Sequence, residues 1–218
     1  MIVNKDNYNI ELFHNCKNVI HHKLEKRDRL LNLDYACSQI LSDGWVLEFG
    51  VFTALTTNQL AKNLSNKTIY GFDSFEGLPE DWFVNNKEKE THIVKRPKGH
   101  FALEELPDVE ENVTLIKGFF DTSLPKWLES NTPDPIAFLH IDCDLYSSTK
   151  TVFNLLNNYI EPGAIIVFDD FYPWGRHPYE LWAEGEYLAL KEWIEQYNRS
   201  FEILSRTGHQ QTTIRVIE

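Results

Sequence analysis

Basic residues are in short supply. Against 33 Asp and Glu the 218-residue chain sets only 21 Lys and Arg, a formal charge of −12 before its eight histidines are counted. That deficit argues against a broad phosphate-tracking surface, since nucleic-acid binders carry a basic face that displaces condensed counterions. No nucleic-acid partner is expected. Cysteine is scarcer still: Cys16, Cys37 and Cys143 are an odd count at wide spacing, matching neither a disulfide framework nor a paired Cys-x-x-Cys zinc site. They read as reduced thiols of a cytoplasmic protein. Long apolar runs are missing too. Met1 to Asn9 is polar, without the apolar stretch of a secretory signal, and no run elsewhere is long enough to span a bilayer, so no membrane association is expected.

What is present is core-forming: 42% of residues are hydrophobic and 13% aromatic, enough for one compact domain over 1–218. Between 24 and 41, Leu30, Leu33, Cys37, Ile40 and Leu41 share a helical stripe with charges between them, and Gly44 follows as a stop. This amphipathic helix is one surface on which a homodimer is plausible. From Trp45 onward, short apolar runs end in acidic residues or glycine: Val46–Gly50, Ile69–Asp73, Val113–Gly118, Ile136–Asp142 and Ala164–Asp169. They predict five buried strands. Helical patterns over Thr53–Leu64 and Ser147–Ile160 lie between strands, so the expected fold class is α/β with a mostly parallel sheet covered on both faces. A helix near 185–197 and a hairpin of Phe201–Arg206 with Thr212–Ile217 complete the chain. The charged, aperiodic stretch Pro79–Asn112 reads as a solvated surface excursion, with an ordered lid as the alternative.

Open parallel sheets bind ligands at the carboxyl ends of their strands, near the point where strand order reverses. At the first such end, Gly50 permits close backbone approach, and Val51, Phe52 and Thr53 lead into a helix start with free amides. Asp73 ends the second strand, placed to accept hydrogen bonds from a ribose diol. The full three-glycine dinucleotide fingerprint is absent, because Phe52, Thr53 and Ala54 stand where further glycines belong. A nucleoside ligand without a pyrophosphate fits, as does an ordinary turn. The later ends are acidic: Asp142 and Asp144 at the fourth strand, Asp169 and Asp170 at the fifth. Carboxylates converging on one sheet edge repel, and a hard divalent cation, Mg2+ by default, relieves them. The competing reading makes Asp144 a helix cap and the pair a solvated strand end.

The runs Glu48-Phe49-Gly50-Val51-Phe52, Asp73-Ser74-Phe75-Glu76-Gly77-Leu78-Pro79, Gly118-Phe119-Phe120-Asp121-Thr122, His140-Ile141-Asp142-Cys143-Asp144-Leu145-Tyr146 and Phe168-Asp169-Asp170-Phe171 resemble the macrocin, mycinamicin and novobiocin sugar O-methyltransferases. The resemblance covers roughly Gly44–Tyr172. It implies a Rossmann-like class I methyltransferase fold: a mostly parallel seven-stranded sheet with a C-terminal antiparallel hairpin and helices on both faces. It divides the domain into an N-terminal helical segment (1–43), a cofactor- and metal-binding core (44–172) and an acceptor lid, helix and terminal hairpin (173–218). The implied cofactor is S-adenosylmethionine. Glu48, Gly50 and Val51, with Phe52 and Thr53 beside them, would line its methionine and ribose part. Asp73 would hold the ribose hydroxyls, and Ser74 and Phe75 would sit near the adenine edge. Phe119, Asp121 and Thr122 would close the adenine side. Asp142 would touch the cofactor and, with Asp169 and Asp170, hold Mg2+ or another divalent cation.

The implied acceptor is a small molecule, a sugar hydroxyl. Such a hydroxyl holds its proton too tightly at neutral pH, and a metal lowers its pKa while a nearby carboxylate takes the proton. Asp142 is the expected catalytic base, with His140, His100, His177 and His209 as rivals. Related catechol-type enzymes use a lysine three residues after the metal aspartate; Leu145 stands there in this chain. A catechol-like enzyme acting on an aromatic diol and a catalytically silent cofactor-binding or scaffold protein are the alternative functions. The aromatic stretch Tyr172–Trp182 is either a lid over the acceptor, a subunit interface or local core.

Overall fold

All five apolar runs form strands. The computed structural model describes residues 1–86, 91–174 and 181–218. Along the chain come β1 (Ile2–Val3), α1 (Ile10–His14), β2 (Val19–Ile20), α2 (Glu25–Ser38), β3 (Trp45–Phe49), α3 (Leu55–Asn63), β4 (Ile69–Asp73), β5 (Trp82–Asn86) and β6 (Thr91–Arg96). There follow β7 (Val113–Lys117), α4 (Phe120–Ser130), β8 (Ile136–Ile141), α5 (Tyr146–Leu156), β9 (Ile165–Phe168), α6 (Glu186–Tyr197), β10 (Phe201–Thr207) and β11 (Thr212–Val216).

Strands β9, β8, β3, β4 and β7 lie side by side and parallel. β11 joins β9 antiparallel and β10 joins β11 antiparallel, so the C-terminal hairpin extends the sheet as expected. The sheet nonetheless has nine strands among the described residues, not seven, because β1 and β2 both pair with β10. Each is two residues long, too short to show any alternation in the sequence. The chain steps outward from β3 to β4 and β7, then returns to place β8 on the other side of β3. Strand order therefore reverses between β3 and β8, which fixes where a ligand crevice opens.

Period-two alternation sorts the core into two layers. Val46, Phe138, Ile165 and Val167 face one way and meet Leu33 and Cys37 of α2 and Leu60 of α3. Leu47, Phe49, Leu139, Ile141 and Ile166 face the other way, against Trp127 of α4, Phe153 of α5 and Trp193 of α6. Burying side chains of this size contributes roughly 1.5–3 kcal/mol each. The apolar stripe of α2 is thus used inside the chain. Leu41, assigned to that stripe, lies beyond the helix end and is 82% exposed.

Two elements go beyond the sequence reading. The Pro79–Asn112 excursion carries the β5–β6 hairpin, whose Trp82 is buried with Leu78 and Leu145. Helix α4 has no counterpart in the sequence reading, since Pro125 inside it breaks the pattern, although Leu124 and Trp127 are buried. Of the aromatic stretch, 175–180 lies outside the described residues. Tyr172 packs against Trp174 and Trp182 at ring-centroid distances of 5.2 and 4.6 Å, and Trp182 meets Tyr187 at 4.9 Å. These rings pack on one another and are half-buried.

Candidate active site

A cavity of about 990 Å³ opens over the carboxyl edge of the sheet at the β3–β8 reversal. Its floor is made of strand ends held in register. The Asp142 amide donates to the Phe49 carbonyl and the Asp169 amide to the Ile141 carbonyl, both at 2.9 Å, so the ends of β3, β8 and β9 stand level. Gly50 (φ +97°) is obligatory here, because a Cβ would lie 1.8 Å from the Asp142 carbonyl oxygen.

The loop after β3 is strained. Phe52 (φ +46°) and Ala54 (φ +59°) are left-handed, as is Phe75 (φ +53°) after β4, and such non-glycine residues cost roughly 1–3 kcal/mol each. Asp73 holds these turns in place. Its Oδ2 accepts the Val51 and Phe52 amides at 2.8 and 2.9 Å, and its Oδ1 accepts the Phe75 amide at 2.7 Å. A carboxylate has about four acceptor positions, so Oδ1 keeps capacity for a further donor. This clamp is a second task for a residue the sequence assigned to ribose alone.

Most of the expected site residues come together on this cavity. Gly50, Val51, Phe52 and Thr53 line it from the β3 loop, and Asp73 and Ser74 from the end of β4. Phe119, Asp121 and Thr122 line it from the start of α4, and Asp142, Asp144, Asp169 and Asp170 from β8 and β9. Glu48 and Phe75 do not reach the cavity wall. Phe75 packs with Val51 and Ala54 behind the loop. Glu48 points to the opposite layer, where its Oε2 accepts the Thr57 hydroxyl and its Oε1 lies 2.8 Å from His140 Nδ1. Glu48 and His140 are register partners on β3 and β8, both fully buried, which makes the pair inevitable once the strands align.

The acidic cluster has partners that sequence reasoning missed. From α2, Arg29 lays its guanidinium across both strand ends: one terminal nitrogen bonds Asp142 Oδ2 and Nε lies 2.8 Å from Asp169 Oδ1. The turn between β10 and β11 supplies Gln210, which donates to Asp170 Oδ1 at 2.6 Å, and Gln211, which donates to Asp169 Oδ1 at 3.3 Å. His140 Nε2 stands 3.7 Å from Asp169 Oδ1. Lys26, Trp82 and Phe101 line the outer part of the cavity.

Protonation follows from burial and these neighbours. Burial drives the His140 pKa down, but the carboxylates of Asp169 and Glu48 outweigh it and raise the ring to about 9. A histidine held charged at neutral pH is a poor proton acceptor. Of the other rivals, His209 is turned to Asp28 at 2.8 Å, His100 packs on Phe101, and His177 lies outside the described residues. Burial pushes the Asp142 carboxyl well up, opposed by Arg29. Asp169 feels the same burial, but Arg29 and His140 prevail and hold it below the usual carboxylate range. Glu186 of α6, which accepts the Asp170 amide at 3.1 Å, is raised well above its ordinary value by burial and by the aspartates beside it.

The donor set fits a hard divalent cation. Asp142, Asp169 and His140 place polar atoms within 4.8 Å of one another, and with His140 held charged the donors that fit are the carboxylate oxygens. Arg29 is the internal cation that these carboxylates share in this structure.

Comparison with known proteins points the same way. The Macrocin-O-methyltransferase (TylF) family profile matches residues 18–179. The 8-demethyl-8-(2,3-dimethoxy-alpha-L-rhamnosyl)-tetracenomycin-C 4'-O-methyltransferase of Streptomyces olivaceus is 25% identical over 167 residues, covering 69% of this chain. The chain spans 62% of that relative's length. Among solved structures, the calicheamicin methyltransferase CalS11 superposes with a TM-score of 0.65 at 23% identity, over 87% of this chain and 79% of that one. The mycinamycin-pathway methyltransferase MycE, crystallised with Mg and SAH, gives a TM-score of 0.50 at 16% identity, over 88% of this chain and 48% of that one. With three quarters of its length matched by the profile, from before α2 to beyond the aspartate pair, the chain belongs to the macrocin O-methyltransferase family.

Proposed function

We propose that this protein is an S-adenosylmethionine-dependent O-methyltransferase whose acceptor is a hydroxyl of a sugar or glycosylated natural product, with a divalent cation held by Asp142, Asp169 and Asp170. One observation carries the reading. A nucleoside-sized loop clamped by Asp73 and a carboxylate cluster open onto the same cavity at the strand-order reversal. The family assignment, and the Mg and SAH bound by MycE, support it.

When bound, the cation lowers the acceptor hydroxyl's pKa and fixes its oxygen. The chain's own groups do the rest. Asp73, with its free Oδ1 capacity, receives the ribose hydroxyls, and the Gly50–Thr53 backbone gives close approach without a side chain between. Asp142, at the reversal point, takes the proton from the acceptor. His140 stays charged behind it and steadies Asp169. Trp82 and Phe101 cover apolar faces of the acceptor at the cavity's outer wall. Most of the catalysis would be positioning, with the Asp73-clamped loop and the aspartates setting cofactor and acceptor against each other in one cavity.

The test is an acceptor screen with isotopically labelled methyl donor. Glycosides are expected to gain label and simple catechols are not; the reverse pattern would establish the catechol-like alternative. Two substitutions refine the picture. Asp73→Ala removes the acceptor for three backbone amides as well as the ribose partner, and S-adenosylhomocysteine affinity measured by calorimetry should fall about 10- to 100-fold, the loss of one or two charged hydrogen bonds. Arg29→Met removes the cation that competes for Asp142 and Asp169. Mn2+ affinity, read by electron paramagnetic resonance, should rise about tenfold, equivalent to ~1.5 kcal/mol of charged hydrogen bond. Weaker binding in that variant would mean that Arg29 organises the carboxylates for the metal.

A further inference from the structure

We propose that His21, Asp28 and His209 form a second cation site, distinct from the aspartate cluster and selective for a borderline transition metal of the zinc class. The three residues come from separate elements: His21 follows β2, Asp28 lies on α2 and His209 sits in the turn between β10 and β11. Their ligand atoms all lie within 4.8 Å of one another. His209 Nδ1 is 2.8 Å and His21 Nδ1 4.0 Å from Asp28 Oδ2.

Asp28 supplies the independent observation. Its side chain is fully buried, and while Oδ2 accepts the Gly208 amide at 3.0 Å, Oδ1 has no hydrogen-bond partner among the described residues. A buried carboxylate oxygen left unsatisfied is costly; the oxygen beside the imidazoles is Oδ2, and a cation taken by both carboxylate oxygens would satisfy Oδ1 as well. The backbone also makes room for this arrangement. A Cβ at Gly208 would lie 2.0 Å from His21 Nδ1, so the ring packs directly on this glycine. His21 itself is 61% exposed, which gives a metal an entry path.

The donor chemistry separates this site from the first. Two imidazole nitrogens and one carboxylate suit zinc and its neighbours, whereas oxygen-rich sets suit magnesium. Three protein ligands leave a fourth position for water. The placement also assigns a task. Asp28 is followed by Arg29, and His209 by Gln210 and Gln211, the residues that hold Asp142, Asp169 and Asp170. A cation here ties α2 to the hairpin turn and so fixes both supports of the aspartate cluster.

Zinc titration of the chelator-treated protein, in excess magnesium so that the oxygen site is filled, tests this by competition with a chromogenic chelator. One equivalent of zinc is expected in the parent protein. His21→Ala, at an exposed position whose loss leaves the core intact, should weaken zinc binding about a hundredfold, as should His209→Ala. Asp142→Asn should bind zinc as the parent does. Cobalt substitution adds a direct readout: a visible d–d absorption of a four-coordinate nitrogen–oxygen site, absent in His21→Ala. The proposal is overturned if the parent binds no stoichiometric zinc, if His21→Ala binds it equally well, or if Asp142→Asn is the variant that loses it. Because zinc binding is scored without turnover, the result stands apart from the methyltransferase reading.

Discussion

Asp142→Asn should lower kcat for methyl transfer by about a hundred- to ten-thousandfold, the range over which a positioned general base acts. The substitution keeps the shape of the side chain but removes the charge that meets Arg29 and draws a cation, and it leaves no group to take the acceptor's proton. The effect is expected in kcat rather than in cofactor binding, because the nucleoside loop is clamped by Asp73 from β4, on the other side of β3. Two measurements separate the roles. Thermal unfolding should show the variant folded, and calorimetry should show S-adenosylhomocysteine affinity within a few-fold of the parent. Undiminished turnover in the Asp142→Asn protein would move the base elsewhere, and Asp169 or Asp170 would have to be tested next.

The largest expected effect on stability comes from Glu48→Ala. Glu48 and His140 are both 0% exposed, and among the described residues Glu48 satisfies both the Thr57 hydroxyl and His140 Nδ1. Removing Glu48 leaves the buried His140 charge with Asp169 as its remaining carboxylate partner, a loss of up to about 3–5 kcal/mol, measurable by denaturant unfolding. The pH dependence has a definite sign. The folded His140 pKa is raised from 6.5 to about 9, so the stabilisation is complete below pH 6.5 and is lost as pH rises through about 9. The gap between parent and variant should therefore be widest near the low end and narrow in alkali. A gap that stays constant with pH would mean that His140 is neutral throughout, and would restore it as a candidate base.

The central strands and their acidic ends were legible because buried parallel strands read as near-continuous apolar runs with abrupt polar stops. Asp142, Asp169 and Asp170 follow such runs directly, and the structure gathers them on one edge. Arg29 was not legible. It sits 113 residues from Asp142, inside Glu25-Lys26-Arg27-Asp28-Arg29, where a cation on a helix looks like any solvated charge. Gln210 and Gln211 are uncharged turn residues with no pattern at all, and only the return of the hairpin to β9 brings them to the aspartates. Glu48 was visible as a strand-end acid, but its direction was misread: Val46 and Glu48 face the α2–α3 layer, a consequence of register that the run Val46–Gly50 does not itself reveal. The two-residue strands β1 and β2 and the Pro125-containing helix α4 fall below the length or regularity at which periodicity carries information.

Calorimetric titration of the full chain with S-adenosylhomocysteine, with and without magnesium, tests the central claim most directly. The cavity over Gly50, Asp73 and Asp142 predicts saturable one-to-one binding that the Asp73→Ala substitution weakens and that does not require the metal. No detectable heat with ligand at high micromolar concentration, for a protein whose fold is intact by unfolding, would contradict it.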